Sequence, residues 1–94
     1  MSASDSADRR TPVVDVIIPV YNEEKAVLGV IRELRDALRK SGIPHELIAV
    51  DDRSTDGSSE VICMAPDVLL IEHPSNRGYG AALKTGIRHA QYEQ

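Results

Sequence analysis

Val13-Val-Asp-Val-Ile-Ile-Pro-Val-Tyr-Asn-Glu-Glu24 is the stretch that decides the fold. Its first eight residues are short and dense in β-branched side chains, which suits a strand buried on both faces, with Pro19 marking its end. Asn22 then offers a helix cap, and Glu23 and Glu24 fall in a first turn where the positive end of the helix dipole favours carboxylates. Val27, Val30, Ile31, Leu34 and Leu38 follow at helical spacing, with Arg32, Glu33, Arg35, Asp36 and Arg39 on the opposite face. Ser41-Gly42 followed by Pro44 ends that helix.

The same alternation continues to Gln94. Glu46-Leu-Ile-Ala-Val-Asp51 reads as a second buried strand, Ser54-Thr-Asp-Gly-Ser58 as a turn opening a short helix from Ser58 to Met64, and Asp67-Val-Leu-Leu-Ile-Glu72 as a third strand. After a loop from His73 to Arg77, a helix of small residues is predicted over Gly78 to Ala90. The order β-α-β-α-β-α predicts an α/β fold with a Rossmann-like parallel sheet, because right-handed crossovers place each new strand parallel to the last. Ligands of such sheets sit beyond the carboxyl ends of the strands. Three segments end there: Pro19 to Glu23, Asp51 to Asp56, and His73 to Gly80.

Size and composition bound what surrounds this core. The 94 residues make one small domain, over 13–94, preceded by a polar, loose tail over 1–12. With no Trp, no Phe and three Tyr, the core has to be built from Val, Ile, Leu and Ala. The net charge of -4 and the absence of a continuous basic stripe argue against a nucleic-acid partner. The single Cys63 has no internal disulfide partner and fits a reducing, cytoplasmic setting, as a small core residue of the short helix. No apolar run reaches the roughly 18 residues of a membrane span, and the polar start is unlike a signal peptide.

Each of the three segments has a binding reading and a structural one. Tyr21 can flank a base or ribose and Glu23 can accept a ribose hydroxyl, while capping alone would also explain Asn22 and the two Glu residues. Asp51 and Asp52 are adjacent carboxylates whose repulsion calls for a partner: a base N–H, a ribose hydroxyl, a metal, or an internal donor. Asp56 reads as a structural cap of its turn. The backbone around Gly78 and Gly80 can approach phosphate oxygens, with Arg77 or Lys84 adding charge, and close helix-sheet packing through Gly78, Ala81, Ala82 and Gly86 is compatible with that role. It is not a dinucleotide fingerprint, because Leu83 stands where a third Gly belongs and the motif follows the third strand. His45, His73 and His89 are scattered and read as surface or loop residues. No Ser, His and Asp set suggests a hydrolase.

Together, Val16-Ile-Ile-Pro-Val-Tyr-Asn-Glu-Glu24, Ile48-Ala-Val-Asp-Asp-Arg-Ser-Thr-Asp-Gly57 and Asn76-Arg-Gly-Tyr-Gly-Ala-Ala-Leu-Lys-Thr-Gly-Ile87 resemble the family 2 glycosyltransferases, in particular the branch acting on polyprenyl (dolichol) phosphate. The resemblance implies the N-terminal, nucleotide-binding half of a GT-A fold. It assigns Pro19, Tyr21 and Glu23 to base and ribose, Asp51 to the base N–H edge, Asp52 to the ribose or its loop, and Gly78 to the far wall, with Lys84 a weaker match. It also implies a GDP- or UDP-linked sugar, a polyprenyl-phosphate acceptor at the cytoplasmic membrane face, and Mg2+ or Mn2+ held by an Asp-x-Asp pair after a further strand. Gln94 comes before such a pair, so the chain is expected to contain neither metal ligands nor catalytic residues and to be inactive alone. Arg53 stands where many relatives carry Gly, and the link from Gly57 to Val68 is shorter than usual, which predicts a stunted second helix.

Two other readings are compatible with parts of the sequence. A non-catalytic nucleotide-binding or interaction module would keep the cleft without the chemistry. A phosphoacceptor receiver domain shares the Ala49-Val-Asp-Asp52 string but places its acidic pair after the first strand. The half-sheet also predicts an exposed edge prone to self-association.

Overall fold

The computed structural model describes residues 13–92, so the tail expected over 1–12 lies outside the described residues. Three strands, β1 (Val14–Val20), β2 (His45–Asp51) and β3 (Val68–Glu72), alternate with three helices, α1 (Val27–Ser41), α2 (Ser58–Cys63) and α3 (Tyr79–Tyr92). The sheet is entirely parallel, in the order β1-β2-β3, with Ile17 opposite Ile48 and Val50 opposite Ile71. The α/β reading and the element order therefore hold.

Apolar residues on both faces of β2 explain why it is central. Leu47 and Ala49 pack with Ile18, Val20, Val27, Ile31 and Ile62 beneath α1 and α2, whereas Ile48 and Val50 pack with Ala82 of α3 and with Ile17 and Ile71. This is the period-two alternation of a strand sandwiched between helix layers. Leu47, Ile48, Ala49 and Val50 are at most 2% exposed, so the aliphatic core sits on this one strand.

The helix ends show which local signals decide the boundaries. Gly42 stops α1 in a left-handed conformation, φ 73°, and its N–H bonds the Arg39 carbonyl, as expected of a helix-ending glycine. At α3, close packing is real at one glycine: a Cβ on Gly86 would stand 2.5 Å from Ile17 Cγ2 of β1. At Gly78 the reason is different, since its φ of +94° requires glycine while the space around it is open.

Four local expectations are corrected. Pro19 lies inside β1 rather than ending it; β1 is an outer strand of the described sheet, where a residue without N–H is tolerated. Asn22 does not cap α1, which begins at Val27; it adopts φ 52° and bonds another loop instead. Val30 belongs to the apolar stripe of α1 but remains 43% exposed, because α1 covers the sheet mainly through Val27 and Ile31. Cys63 is exposed, since the stunted α2 buries Ser58 and Ile62 and turns Cys63 outward.

Candidate functional site

The loops following the three strands meet at the carboxyl edge of the sheet. The first two are stitched residue by residue. Successive backbone N–H groups of Asn22, Glu23 and Glu24 donate to Ser54 Oγ (2.9 Å), Ser58 Oγ (2.8 Å) and Asp56 Oδ2 (3.2 Å). In return, Thr55 N–H donates to Asn22 Oδ1 at 2.8 Å and Gly57 N–H to Glu24 Oε1 at 3.0 Å. Asn suits its left-handed backbone here because its short polar side chain tolerates that region. Asp56 is the structural carboxylate its turn suggested: it accepts both the Ser58 N–H (2.9 Å) and the Ser58 hydroxyl (2.6 Å). These bonds, led by that hydroxyl and opposed by desolvation, hold its carboxyl below the usual range.

The adjacent carboxylates divide between separate partners, which resolves their expected repulsion. Asp51 accepts the Ser54 N–H at 3.0 Å and the Ser54 hydroxyl, and is 2% exposed. Asp52 accepts from His73 Nδ1 (2.7 Å) and the Arg77 N–H (2.8 Å) at Oδ1, and from the Gly78 N–H (2.7 Å) at Oδ2. Burial alone would raise the Asp52 pKa, but the His73 bond and the two amides, with the charge of His73 adding, outweigh it and leave the group lowered. Asp52 thus anchors the third loop to the second. The Arg77 and Gly78 amides expected to meet phosphate are already engaged by this carboxylate.

Pro19, Val20, Tyr21, Glu23, Asp52, Asn76, Gly78, Tyr79 and Ala82 enclose a cleft of about 420 Å³, within the size range of small-molecule sites. Five of the six residues singled out in the sequence, Pro19, Tyr21, Glu23, Asp52 and Gly78, come together there. Asp51 is absent from the walls and supports the turn beside them. Tyr21 and Tyr79 are 47% and 70% exposed, so two rings are available to a planar ligand. Lys84 is exposed on α3 and does not line the cleft.

Sequence reasoning missed Tyr79, Asn76 and His73. Tyr79 and Asn76 stand on either side of the Arg77-Gly78 turn, and that position was their available signal. His73, read as a surface or loop residue, is instead 5% exposed and bonded at both ring nitrogens, to Asp52 and to Thr85 Oγ1 (2.7 Å). Its burial depends on α3 folding back over the sheet, which no local pattern reveals.

Among the described residues, no group of three or more His, Cys, Asp and Glu side chains could hold a metal, and no helix is long and apolar enough to cross a membrane.

A parallel α/β sheet with an aromatic-flanked cleft at its carboxyl edge is an architecture whose ligands sit beyond the strand ends. The solved mannosyltransferase PcManGT from Pyrobaculum calidifontis, in complex with GDP-Man and Mn2+, superposes with a TM-score of 0.61 and 34% identity, covering 81% of this chain and 24% of that one. This gives the fold as GT-A. The model of glycosyl transferase family 2 matches residues 15–94, and the chain belongs to that family. Among curated relatives, the undecaprenyl-phosphate 4-deoxy-4-formamido-L-arabinose transferase of Pectobacterium atrosepticum is 42% identical over 82 residues, 82% of this chain and 25% of the relative. Its Salmonella typhimurium counterpart is 37% identical over 81 residues, again 25% of the relative. The chain therefore spans about a quarter of the length of these relatives.

Proposed function

We propose that this chain forms the nucleotide-binding portion of a glycosyltransferase, holding the nucleoside diphosphate of a GDP- or UDP-linked sugar in the cleft between the three loops. The observation that carries this reading is the convergence of Tyr21, Glu23, Asp52 and Gly78, contributed by three separate loops, on one cavity of about 420 Å³. The base stacks against Tyr21 or Tyr79, Glu23 accepts a ribose hydroxyl, and Asp52 presents acceptor oxygen to a base N–H or to the ribose. Pro19 and Gly78 line the same cleft. Asp51 contributes indirectly, by holding the Ser54 turn on which the first loop rests.

In the complete enzyme the sugar passes to an acceptor, and the relatives' names support polyprenyl phosphate, reached at the cytoplasmic face of a membrane. A divalent cation, Mg2+ or Mn2+, belongs to the same proposal, and the Mn2+ in the mannosyltransferase complex supports it. When bound, such an ion neutralises charge on the departing diphosphate. Among the described residues no group fits that ion.

Calorimetric titration with GDP and UDP tests the reading. Saturable binding of at least one is expected, weakened about fivefold or more by Tyr21→Ala, since base-aromatic stacking contributes roughly 1–3 kcal/mol. Absence of saturable binding to both nucleotides would remove the proposal.

A further inference from the structure

Asp52 is a wall of the cleft, yet the side chain that holds it is not. His73 leaves the end of β3 with its backbone N–H on the Asp51 carbonyl at 2.8 Å, its Nδ1 on Asp52 at 2.7 Å and its Nε2 on Thr85 Oγ1 at 2.7 Å. The residue is held at three points, its backbone on β2 and its ring on the following loop and on α3. Because an ionised carboxylate only accepts, Nδ1 carries the proton of the bond to Asp52. The same Asp52 oxygens accept the Arg77 and Gly78 amides that turn the chain into α3. A carboxylate offers about four acceptor directions, and the protein's donors occupy three of them: two at Oδ1 and one at Oδ2.

We infer that His73 is a positioning residue of the cleft: by fixing Asp52 it fixes both the remaining acceptor direction at Oδ2 and the backbone of the Arg77-Gly78 turn. This rests on reading the cleft as a nucleoside diphosphate site. Without the imidazole, Asp52 can rotate about its side-chain bonds, and the two turn amides lose their common acceptor. Nothing in this role requires His73 to touch ligand.

The two amide isosteres separate positioning from space filling. Asparagine places its amide nitrogen near the Nδ1 position and keeps a donor for Asp52; glutamine reaches the Nε2 position and does not. His73→Asn should retain most of the GDP or UDP affinity, within about threefold, whereas His73→Gln should lose about tenfold or more. Amide NMR on the 94-residue chain without nucleotide gives the second readout. The Arg77 and Gly78 amide protons should resonate downfield, as carboxylate-bound protons do, in the wild type and His73→Asn, and shift upfield in His73→Gln.

Equal affinities and equal Arg77 and Gly78 shifts in the two variants would overturn the inference. If His73→Gln does not fold, His73→Leu decides, because it fills the buried space and has no donor for Asp52. It should weaken binding about tenfold or more and move both amides upfield, and no change in either overturns the inference. A wild-type chain that binds neither nucleotide removes the functional reading instead, and the amide shifts alone then judge His73.

Discussion

Two neighbouring aspartates carry the residue-scale logic of this domain. Asp51 bonds forward to Ser54 while Asp52 bonds across to His73 and the Arg77-Gly78 turn, so one dipeptide organises two loops. The Asp52 pKa lies below its ordinary 3.8, so folding favours the ionised form. That contribution is complete above the unfolded-state value and disappears as pH falls below 3.8 through the lower folded-state value. Denaturation midpoints measured from neutral to acid pH should therefore drop more steeply for the wild type than for Asp52→Asn. At neutral pH that variant should be less stable by about 1–3 kcal/mol, having lost acceptors for buried donors. Arg53 offers the opposite case, with φ 63° and an exposed side chain. A left-handed non-glycine residue costs roughly 1–2 kcal/mol, part of which is returned by the unfolded-state entropy of glycine. Arg53→Gly should accordingly raise stability by up to about 1 kcal/mol, read as a higher melting temperature.

Between elements, the loops are held by side chains and the layers by close approach. Ser58 is fully buried at the start of α2, accepting the Glu23 N–H and donating to Asp56. Ser58→Ala leaves both partners without it and should destabilise by about 1–3 kcal/mol, with raised amide exchange at Glu23 as the local signature. Gly86 is a point of close approach between α3 and β1, and Gly86→Ala would press a methyl into Ile17. The expected cost is about 1–3 kcal/mol from overpacking, relieved by the double change with Ile17→Val if the clash is the cause. These contacts connect distant parts of the chain, and α3 covers the face of the sheet formed by Ile17, Ile48, Val50 and Ile71.

For the whole molecule, β1 and β3 form the two outer strands of the described sheet, and Val13, Val14 and Leu69 are exposed large apolar residues on them or beside them. An open strand edge with apolar neighbours favours pairing with another chain. We propose that the isolated 94-residue chain self-associates through such an edge. Sedimentation velocity should show a concentration-dependent rise in mass, and a monomer at every concentration would refute it.

Element order and the parallel sheet were legible in the chain itself, because they depend on periodicities and turn residues only a few positions apart, and the family was legible in the resemblance of three motif strings. The alternating faces of Leu47 to Val50, the stop at Gly42 and the clustered motifs of the three loops all belong to this class. Pro19, Tyr21, Glu23, Asp52 and Gly78 were readable as one set through the resemblance, since all lie at or beyond the carboxyl ends of the strands. Tertiary structure alone decided which Asp faces the cleft, why Asn22 is left-handed and that His73 is buried. Those outcomes depend on hydrogen bonds between residues 21 to 35 positions apart or on a helix packing over the sheet, and local sequence contains no record of such partners.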